Sequence, residues 1–396
     1  MLIEKISQLK AYKGLLRSLS NGAAPASLGL MRSARLPVAA ALSLELARPV
    51  LYVTGRTDQA LAAVDELNFW MPNSAPRIFP DPTPMFYEQA AWGSATRRDR
   101  LQVLTMLAGY HRVPSQKPVA NPLIIAPIRA LMTRTLPLRE FLRNSRVLRL
   151  RQMISVNELI SDLLRAGYQV VDIVLEPGQV SKRGGIMDIW PPPDTDPSRI
   201  ELFGNDVETI RKFDPVTQRT KSLVDEIRIP PAKEAISSTR EPAVKELSEF
   251  EIPLQYSEIT GLLDYLPKKS VVLFDDLDLT ENIALEVEEQ AVRMRQESIG
   301  YEVLDPEFPL PYLSWSELQD NLDSQTVLEL GYSKADQASE LAERFSPSPR
   351  FGGHIKSFLQ QASGWVENGD RVYLASRQVQ RLIELWKESY PLSNDK

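Results

Sequence analysis

The sequence contains no cysteine and only two histidines among its 396 residues. The lack of cysteine excludes disulfides, thiolate nucleophiles, iron–sulfur clusters and cysteine-based zinc sites. The two histidines, His111 and His354, lie far apart in the sequence, so a histidine-rich metal site is also excluded. We therefore expect no metal site, and we also expect no cofactor, because the sequence lacks a phosphate-binding loop.

No hydrophobic run in the sequence is suited to crossing a membrane. The longest run covers residues 36–53, and Glu45, Arg48 and Pro49 interrupt it, whereas a membrane-spanning helix needs about 20 consecutive, mostly apolar residues. The N-terminus also lacks the pattern of a signal peptide, because charged residues interrupt its first apolar positions. We therefore expect a cytoplasmic protein without a membrane partner.

Positive charge is in the minority, since 46 Lys and Arg face 52 Asp and Glu and the net charge is −6. Such a chain is a poor non-specific binder of nucleic acid, because that binding depends on cations that neutralise phosphates. The basic segment 134–151 could contact nucleic acid or an acidic protein face, although a solvated surface is the more common explanation. In this segment only Glu140 opposes the arginines, which are Arg134, Arg139, Arg143, Arg146, Arg149 and Arg151.

Proline is present in excess, with 30 prolines among 396 residues, which indicates many short, stiff connections. The length predicts two to four domains. Apolar strands over 49–55 and 123–126, each followed by a helix, indicate an α/β layer. The same pattern returns over 270–276 and 326–330.

Between these α/β stretches the sequence changes to short segments rich in β-forming residues, with one helix from Val156 to Ala166. This pattern predicts a small, mostly antiparallel sheet with one helix. We expect an α/β domain in two parts with this small α+β domain inserted between them. The short segments are 146–150, 170–175, 185–190, 199–204 and 207–213, and the predicted domains are 1–136, 137–230 and 231–345, followed by a linker and the start of a further domain over 346–396.

The two ends of the chain carry helical patterns. Apolar residues at helical spacing predict one helix over 2–19, which Asn21-Gly22 ends. The tail predicts a helix over 354–367, a strand over 371–375 and a last helix over 378–389.

The first strand–turn–helix is the place where a nucleotide-binding loop would lie. Such a loop needs Gly-x-x-x-x-Gly-Lys-Ser/Thr, so that backbone N–H groups wrap the phosphates and a lysine reaches them. The turn Thr54–Gln59 has one glycine and no lysine, so we predict an ordinary turn with a capping residue. Asp275 and Asp276 follow a strand, where P-loop enzymes hold their metal-binding carboxylate, but without the phosphate loop we expect solvated or capping roles.

A pair of adjacent cations precedes two glycines in the inserted segment. Lys182 and Arg183 run into Gly184 and Gly185, which let another backbone approach closely. A hairpin rim of this kind can present its cations to the acidic groups of a partner, with bidentate geometry from the arginine. On composition alone, an exposed turn with solvated charges is the more usual interpretation.

These residues also carry a resemblance to a known family. The matching stretches are Ala166-Gly167-Tyr168, Glu176-Pro177-Gly178, Arg183-Gly184-Gly185-Ile186-Met187-Asp188-Ile189-Trp190-Pro191-Pro192, Arg199-Ile200-Glu201-Leu202-Phe203-Gly204 and Phe213-Asp214-Pro215. Together they resemble the N-terminal region of the transcription-repair coupling factors (Mfd), a region similar to the excision-repair protein UvrB. The resemblance covers roughly residues 10–345.

The resemblance implies a RecA-like domain split in two by an inserted domain, with a degenerate nucleotide site, and an inserted domain that docks the damage-recognition protein UvrA. Arg183 matches the arginine that contacts UvrA in this family, beside Gly184 and Gly185. Arg165 lies near a second contact, but Gln169 stands where many relatives have a basic residue, and Lys182 is a candidate to replace part of that charge.

The resemblance thus implies a non-catalytic module that recruits UvrA in transcription-coupled nucleotide excision repair. The alternative is a nucleotide-dependent, DNA-damage-processing enzyme of the UvrB kind, and a third possibility is a DNA-binding module, which the acidic charge disfavours. Members of the family continue into an RNA-polymerase-binding domain and an ATP-driven DNA translocase. No motif of those parts occurs here, so we expect an N-terminal fragment whose parent contacts RNA polymerase and DNA through the missing part.

Overall fold

The structure, a computed structural model, describes residues 2–88, 90–111, 121–238, 247–332, 339–347, 349, 351–372, 374 and 378–390. The first half begins with helices and continues with strands that alternate with helices. Its elements are α1 (Leu2–Gln8), α2 (Lys10–Ser20), α3 (Arg32–Glu45), β1 (Val50–Thr54), α4 (Thr57–Trp70), β2 (Arg77–Ile78), α5 (Ser94–Ala108), β3 (Leu123–Pro127), α6 (Ile128–Met132) and α7 (Leu138–Arg143).

The middle of the chain is rich in strands, and the last part returns to strands that alternate with helices. The middle elements are β4 (Arg146–Arg149), α8 (Val156–Arg165), β5 (Gln169–Val170), β6 (Gln179–Arg183), β7 (Ile186–Ile189), β8 (Ser198–Phe203), β9 (Asp206–Phe213), β10 (Thr220–Leu223) and β11 (Glu226–Ile229). The later elements are α9 (Ile252–Gln255), β12 (Val271–Phe274), α10 (Leu277–Gly300), α11 (Trp315–Leu322), β13 (Thr326–Glu329), α12 (Ile355–Glu367) and α13 (Val379–Ser389).

The main sheet is parallel and has the strand order β13-β12-β1-β3-β2. Its central strand β1 is buried at every position, as expected for a parallel strand covered on both faces. Leu51 and Val53 pack into one apolar core with α5 and α10, whereas Val50 and Tyr52 pack into a second core with α2, α3 and α4. The chain therefore has the predicted mixed α/β architecture, with a parallel sheet between helices.

A second, antiparallel sheet follows from the middle of the sequence. Its order is β10-β9-β8-β7-β6-β5, and only the short edge pair β5–β6 is parallel. Gly204, with a φ of +62°, turns β8 into β9, as the Gly204-Asn205 pair predicts. Helix α8 packs Val156, Leu159 and Leu163 onto one face of this sheet. The strands β4 and β11 pair separately with each other.

Three predicted elements differ from the structure. The helix expected over 2–19 is two helices, because Leu9 has an extended backbone between them. The strand expected over 170–175 is limited to Gln169–Val170, since Ile173 and Leu175 are more than half exposed and gain nothing from a pleated, buried surface. The strand expected over 371–375 lies partly outside the described residues, and the described residues there form no strand.

No helix in the part of the chain that the structure describes combines the length and the hydrophobicity needed to cross a membrane.

Two arginines of helix α5 pair with acids in the segment that follows the antiparallel sheet in the sequence. The Arg100 side chain is fully buried and pairs in two contacts with Glu234, from Nε to Oε1 at 2.6 Å and from Nη2 to Oε2 at 3.0 Å. Its guanidinium also lies 4.1 Å from the ring centroid of Phe79 and 4.8 Å from that of Trp92. One turn earlier, Arg97 pairs with Glu249, whose carboxyl pKa is raised by burial. Arg97 and Arg100 of α5 therefore fix the chain at Glu249 and Glu234, after the antiparallel sheet.

Candidate protein-docking site

The hairpin of β6 and β7 turns through the two glycines that the sequence analysis singled out. Gly184 has a φ of +60°, in the left-handed region that glycine adopts without strain. A Cβ on Gly185 would lie only 2.9 Å from the carbonyl oxygen of Leu202, and the Leu202 N–H donates to the Gly185 carbonyl at 2.8 Å. The two glycines thus allow β8 to approach the end of the hairpin.

The cations before these glycines lie on opposite faces of the sheet. Lys182 is paired with the buried Met187, on the face that α8 covers, whereas Arg183 is paired with Ile186 on the open face. This follows from the alternation of side chains along a strand. The interpretation of Lys182 and Arg183 as one cationic rim is therefore wrong in its geometry, and Lys182 instead donates to Oδ1 of Asn157, on α8, at 3.3 Å.

A buried carboxylate organises the charges of the open face. Asp188 is 3% exposed and accepts from Nε and Nη2 of Arg199 at 2.6 and 2.7 Å. The same carboxylate accepts from Nη2 of Arg183 at 3.1 Å. These bonds raise the pKa of the Arg199 guanidinium above its already high ordinary value, and that guanidinium also lies 4.5 Å from the ring centroid of Phe213. Arg199 is thus fixed against the sheet.

Arg183 is held less completely than Arg199. Its side chain is 51% exposed, and only one of its N–H groups contacts an acceptor among the described residues, the bond to Asp188. A guanidinium has five N–H donors in a rigid fork. Arg183 is therefore oriented at one corner while most of its donors face solvent, which suits it to a carboxylate on a partner.

Arg165 lies apart from Arg183. It ends α8 and pairs with Asp162, which also accepts from Nη2 of Arg146 at 2.6 Å. Asn157, the contact of Lys182, lies near the start of the same helix, about 12 Å away at 1.5 Å per residue. The structure thus places Arg165 and Lys182 at opposite ends of α8, on the helix-covered side. Of these three predicted contact residues, Arg183 is the one that lies on the open face.

The sequence analysis missed an aromatic residue on the same face as Arg183. Phe203 ends β8 and is 78% exposed. It lies on the open face because it follows Arg199 and Glu201 at intervals of two residues along the strand. The alternation in Arg199-Ile200-Glu201-Leu202-Phe203 is the signal that could have found it.

The turn that would hold a nucleotide is filled by the protein itself. A Cβ built on Gly55 would lie 2.5 Å from Cδ1 of Ile283, a residue of α10. Oε1 of Gln59 accepts the N–H of Arg56 at 3.1 Å. Oδ1 of Asp81 accepts from Oγ1 of Thr57 at 2.8 Å. The turn after β1 is thus packed against α10 and bonded to Asp81.

The two carboxylates after β12 have structural contacts. Asp276 caps α10 by accepting the N–H of Leu279 at 3.0 Å, as the sequence analysis expected of one of them. Asp275 accepts from the hydroxyl of Tyr52 at 2.7 Å and lies 3.3 Å from Nη1 of Arg35. Its charge is therefore already balanced by an arginine of this chain.

Four of the six arginines in the basic segment 134–151 have partners in the described part of the chain, whereas Arg139 and Arg151 are exposed. Arg134 is buried and donates to the carbonyls of Leu310 and Glu258. Three further arginines pair with acids within or beyond the segment, namely Arg143 with Glu140, Arg146 with Asp162 and Arg149 with Glu226.

The residues around this site match a known protein family. Residues 147–234 match the family model described as the UvrB interaction domain, and they include the hairpin, Arg183 and Phe203. The antiparallel sheet with its open charged face is therefore similar to the UvrB interaction domain.

Three individual proteins are similar to a longer part of this chain than the family model covers. The transcription-repair-coupling factor of Bacillus subtilis (strain 168) is 30% identical over 239 residues, covering 60% of this chain and 20% of that protein. The transcription-repair-coupling factor of Myxococcus xanthus is 30% identical over 214 residues, covering 52% of this chain and 17% of that protein. The transcription-repair-coupling factor of Staphylococcus aureus (strain Mu50) is 27% identical over 236 residues, covering 60% of this chain and 19% of that protein. The chain is a relative of the transcription-repair coupling factors, similar to their N-terminal, UvrB-like region, and its match spans about a fifth of their length.

Proposed function

We propose that this chain is an adaptor module that docks UvrA through the open face of its antiparallel sheet, and that it does so in transcription-coupled nucleotide excision repair. The observation that carries the proposal is the position of Arg183, which is half exposed on the open face inside the part that matches the UvrB interaction domain. The names of the relatives support a role in transcription-repair coupling.

The arrangement of the open face suits a protein partner with acidic groups. Asp188 aligns Arg183 without using most of its donors, so a carboxylate of UvrA can accept two parallel bonds from the guanidinium. The contact becomes stronger when the interface excludes water, because charges then interact at lower dielectric. Arg199 stays bound to Asp188 and keeps the surface in place.

We propose further that the α/β part is a degenerate RecA-like domain without catalytic activity. The side chain of Ile283 over Gly55 and the carboxylate of Asp81 at the start of α4 support this proposal. In the longer proteins of the family, the adaptor would act together with a DNA translocase and an RNA-polymerase-binding domain. Those partners would lie outside the residues of this chain.

Titration of the 396-residue chain with purified UvrA by isothermal calorimetry tests the docking proposal. We expect saturable binding that weakens as salt is raised, because a charged pair at the edge of an interface is screened. A titration without binding heat, confirmed by the absence of a shared peak in analytical ultracentrifugation at about 50 µM of each protein, would contradict the proposal, because a physiological complex at that concentration requires about −6 kcal/mol or better.

Nucleotide binding distinguishes the adaptor from the UvrB-like enzyme. We expect no binding of Mg-ATP at about 1 mM, because Ile283 packs against the turn at Gly55 and the turn has no lysine to reach a phosphate. Calorimetry with Mg-ATP measures this directly, with a P-loop ATPase as the positive control under the same conditions. Stoichiometric binding in the micromolar range would favour the enzyme.

A further inference from the structure

An exposed phenyl ring stands at the end of β8. Phe203 is 78% exposed and pairs with Asp206 next to the turn at Gly204. Large apolar side chains of this exposure at a hairpin end contribute little to a core, and Phe203 lies outside the apolar cores of the described residues. The fold of the sheet therefore does not explain why phenylalanine stands at this position.

The hairpin at Gly184 and Gly185 ends next to the residue that precedes Phe203. The Gly185 carbonyl accepts the N–H of Leu202 at 2.8 Å, and a Cβ on Gly184 would meet no heavy atom within 4 Å. The turn that follows Arg183 therefore adds no side chain to this end of the open face.

Cross-strand pairing places an apolar residue between Arg183 and Phe203. Arg183 pairs with Ile186, and Ile186 pairs with Glu201, which precedes Phe203 by two residues on the same face. Ile186 is itself 36% exposed. We call Arg183, Ile186 and Phe203 the Arg–Phe strip.

The charges around the Arg–Phe strip are balanced, and Arg183 is the most exposed cation among them. Glu201 accepts from Arg211 at 2.6 Å and from Thr209 at 2.7 Å, and Asp188 is bound by two arginines. The exposed Asp206, which pairs with Phe203, is a third acid on this face, so three arginines face three acids. Because Arg183 has the most exposed side chain of the three arginines, it is the one that fits a carboxylate on a partner surface.

We propose that Phe203 is the apolar anchor of the docking interface, inserted into an apolar pocket of UvrA whose rim holds the carboxylate for Arg183. This inference rests on the proposed function. Interface energy concentrates in a few aromatic and arginine residues that lie together and are surrounded by contacts that exclude water. The Arg–Phe strip has this composition, and each of its three residues is at least 36% exposed.

Other exposed apolar residues of the same domain provide matched controls. Val216 is 89% exposed in the turn after β9. Leu223 is 75% exposed on the edge strand β10, and its pairing with Arg211 places it on the open face, away from the Arg–Phe strip. Leu223→Ala therefore tests the rest of the open face, and Val216→Ala tests exposed apolar area in a turn.

Calorimetric titration of the 396-residue chain with purified UvrA tests the anchor. We expect Phe203→Ala to weaken binding at least tenfold, the range of an interface hot spot, with Phe203→Leu in between and with Val216→Ala and Leu223→Ala close to the unmodified chain. Melting temperatures of all variants should agree within a few degrees, because the side chains are exposed.

The outcomes separate the anchor from the docking proposal. Binding of the unmodified chain together with unchanged affinity of Phe203→Ala would overturn the anchor and leave the docking proposal standing. Equal losses in Phe203→Ala, Val216→Ala and Leu223→Ala would also overturn it, because they would indicate a general effect of exposed apolar area. Absence of binding by the unmodified chain would overturn both.

Discussion

Replacement of Arg100 by methionine is expected to lower the free energy of unfolding by about 3–5 kcal/mol, the usual cost of removing one partner from a buried ion pair. Arg100 is fully buried and Glu234 is 2% exposed, so the substitution leaves a carboxylate without its partner in a site closed to water. The carbonyl of Pro80, which accepts from Nη1 of Arg100 at 3.2 Å, loses a donor as well. Urea denaturation followed by tryptophan fluorescence measures the effect, and Trp92 beside the guanidinium reports on this site.

Two further variants separate the buried charge from other effects of the substitution. Arg98→Met alters the same helix at a position with 55% exposure, and we expect a change within about 0.5 kcal/mol. Arg100→Met combined with Glu234→Leu removes both charges and should recover much of the loss, because a buried pair is often replaced by apolar residues at little cost. A double variant less stable than Arg100→Met would contradict this account of the site.

The Arg100–Glu234 pair has a consequence for docking because of where it lies in the chain. Glu234 is the last residue of the matched UvrB interaction domain, and Arg100 belongs to a helix of the main sheet's core. The pair therefore joins the domain that carries the proposed docking face to the α/β part. Arg97 and Glu249 add a second connection from the same helix.

The sequence predicts the local structure well where periodicity and burial agree. The strand Val50–Thr54 and the helix after it follow from an apolar run and a turn, and the structure has both. The strand over 170–175 was predicted too long, because β-branched residues also occur on exposed edges, where Val170 and Ile173 are more than half exposed. Propensity does not distinguish these two environments.

Several contacts of the fold outside the candidate site depend on residues far apart in the sequence. Arg100 and Glu234 are separated by 134 positions, and Asp275 meets Tyr52 across 223 positions. No local pattern marks such pairs. For the same reason the sequence did not show that Arg146 and Arg149 of segment 134–151 pair with Asp162 and Glu226. The sequence could have predicted that Lys182 and Arg183 lie on opposite faces of the sheet, because neighbouring side chains alternate along a strand.

Substitution of Arg183 by alanine is expected to weaken UvrA binding more than tenfold, because a partner carboxylate left unpaired in the interface costs roughly 2–5 kcal/mol. The fold should be little affected. Asp188 keeps both of its bonds to Arg199, and Arg183 is 51% exposed. Calorimetric titration with UvrA measures the affinity, and thermal unfolding of the variant confirms that it is folded.

Variants of the neighbouring cations determine whether position or charge causes this loss. Arg183→Lys keeps the charge but cannot form two parallel bonds to one carboxylate, so it should recover only part of the affinity. Lys182→Ala removes the same charge one residue away on the helix-covered face, and Arg165→Ala removes it at the end of α8, so both should cost less than Arg183→Ala. Equal losses for Lys182→Ala and Arg183→Ala would show that UvrA responds to net charge alone, and unchanged affinity of folded Arg183→Ala would place the docking surface elsewhere on the chain.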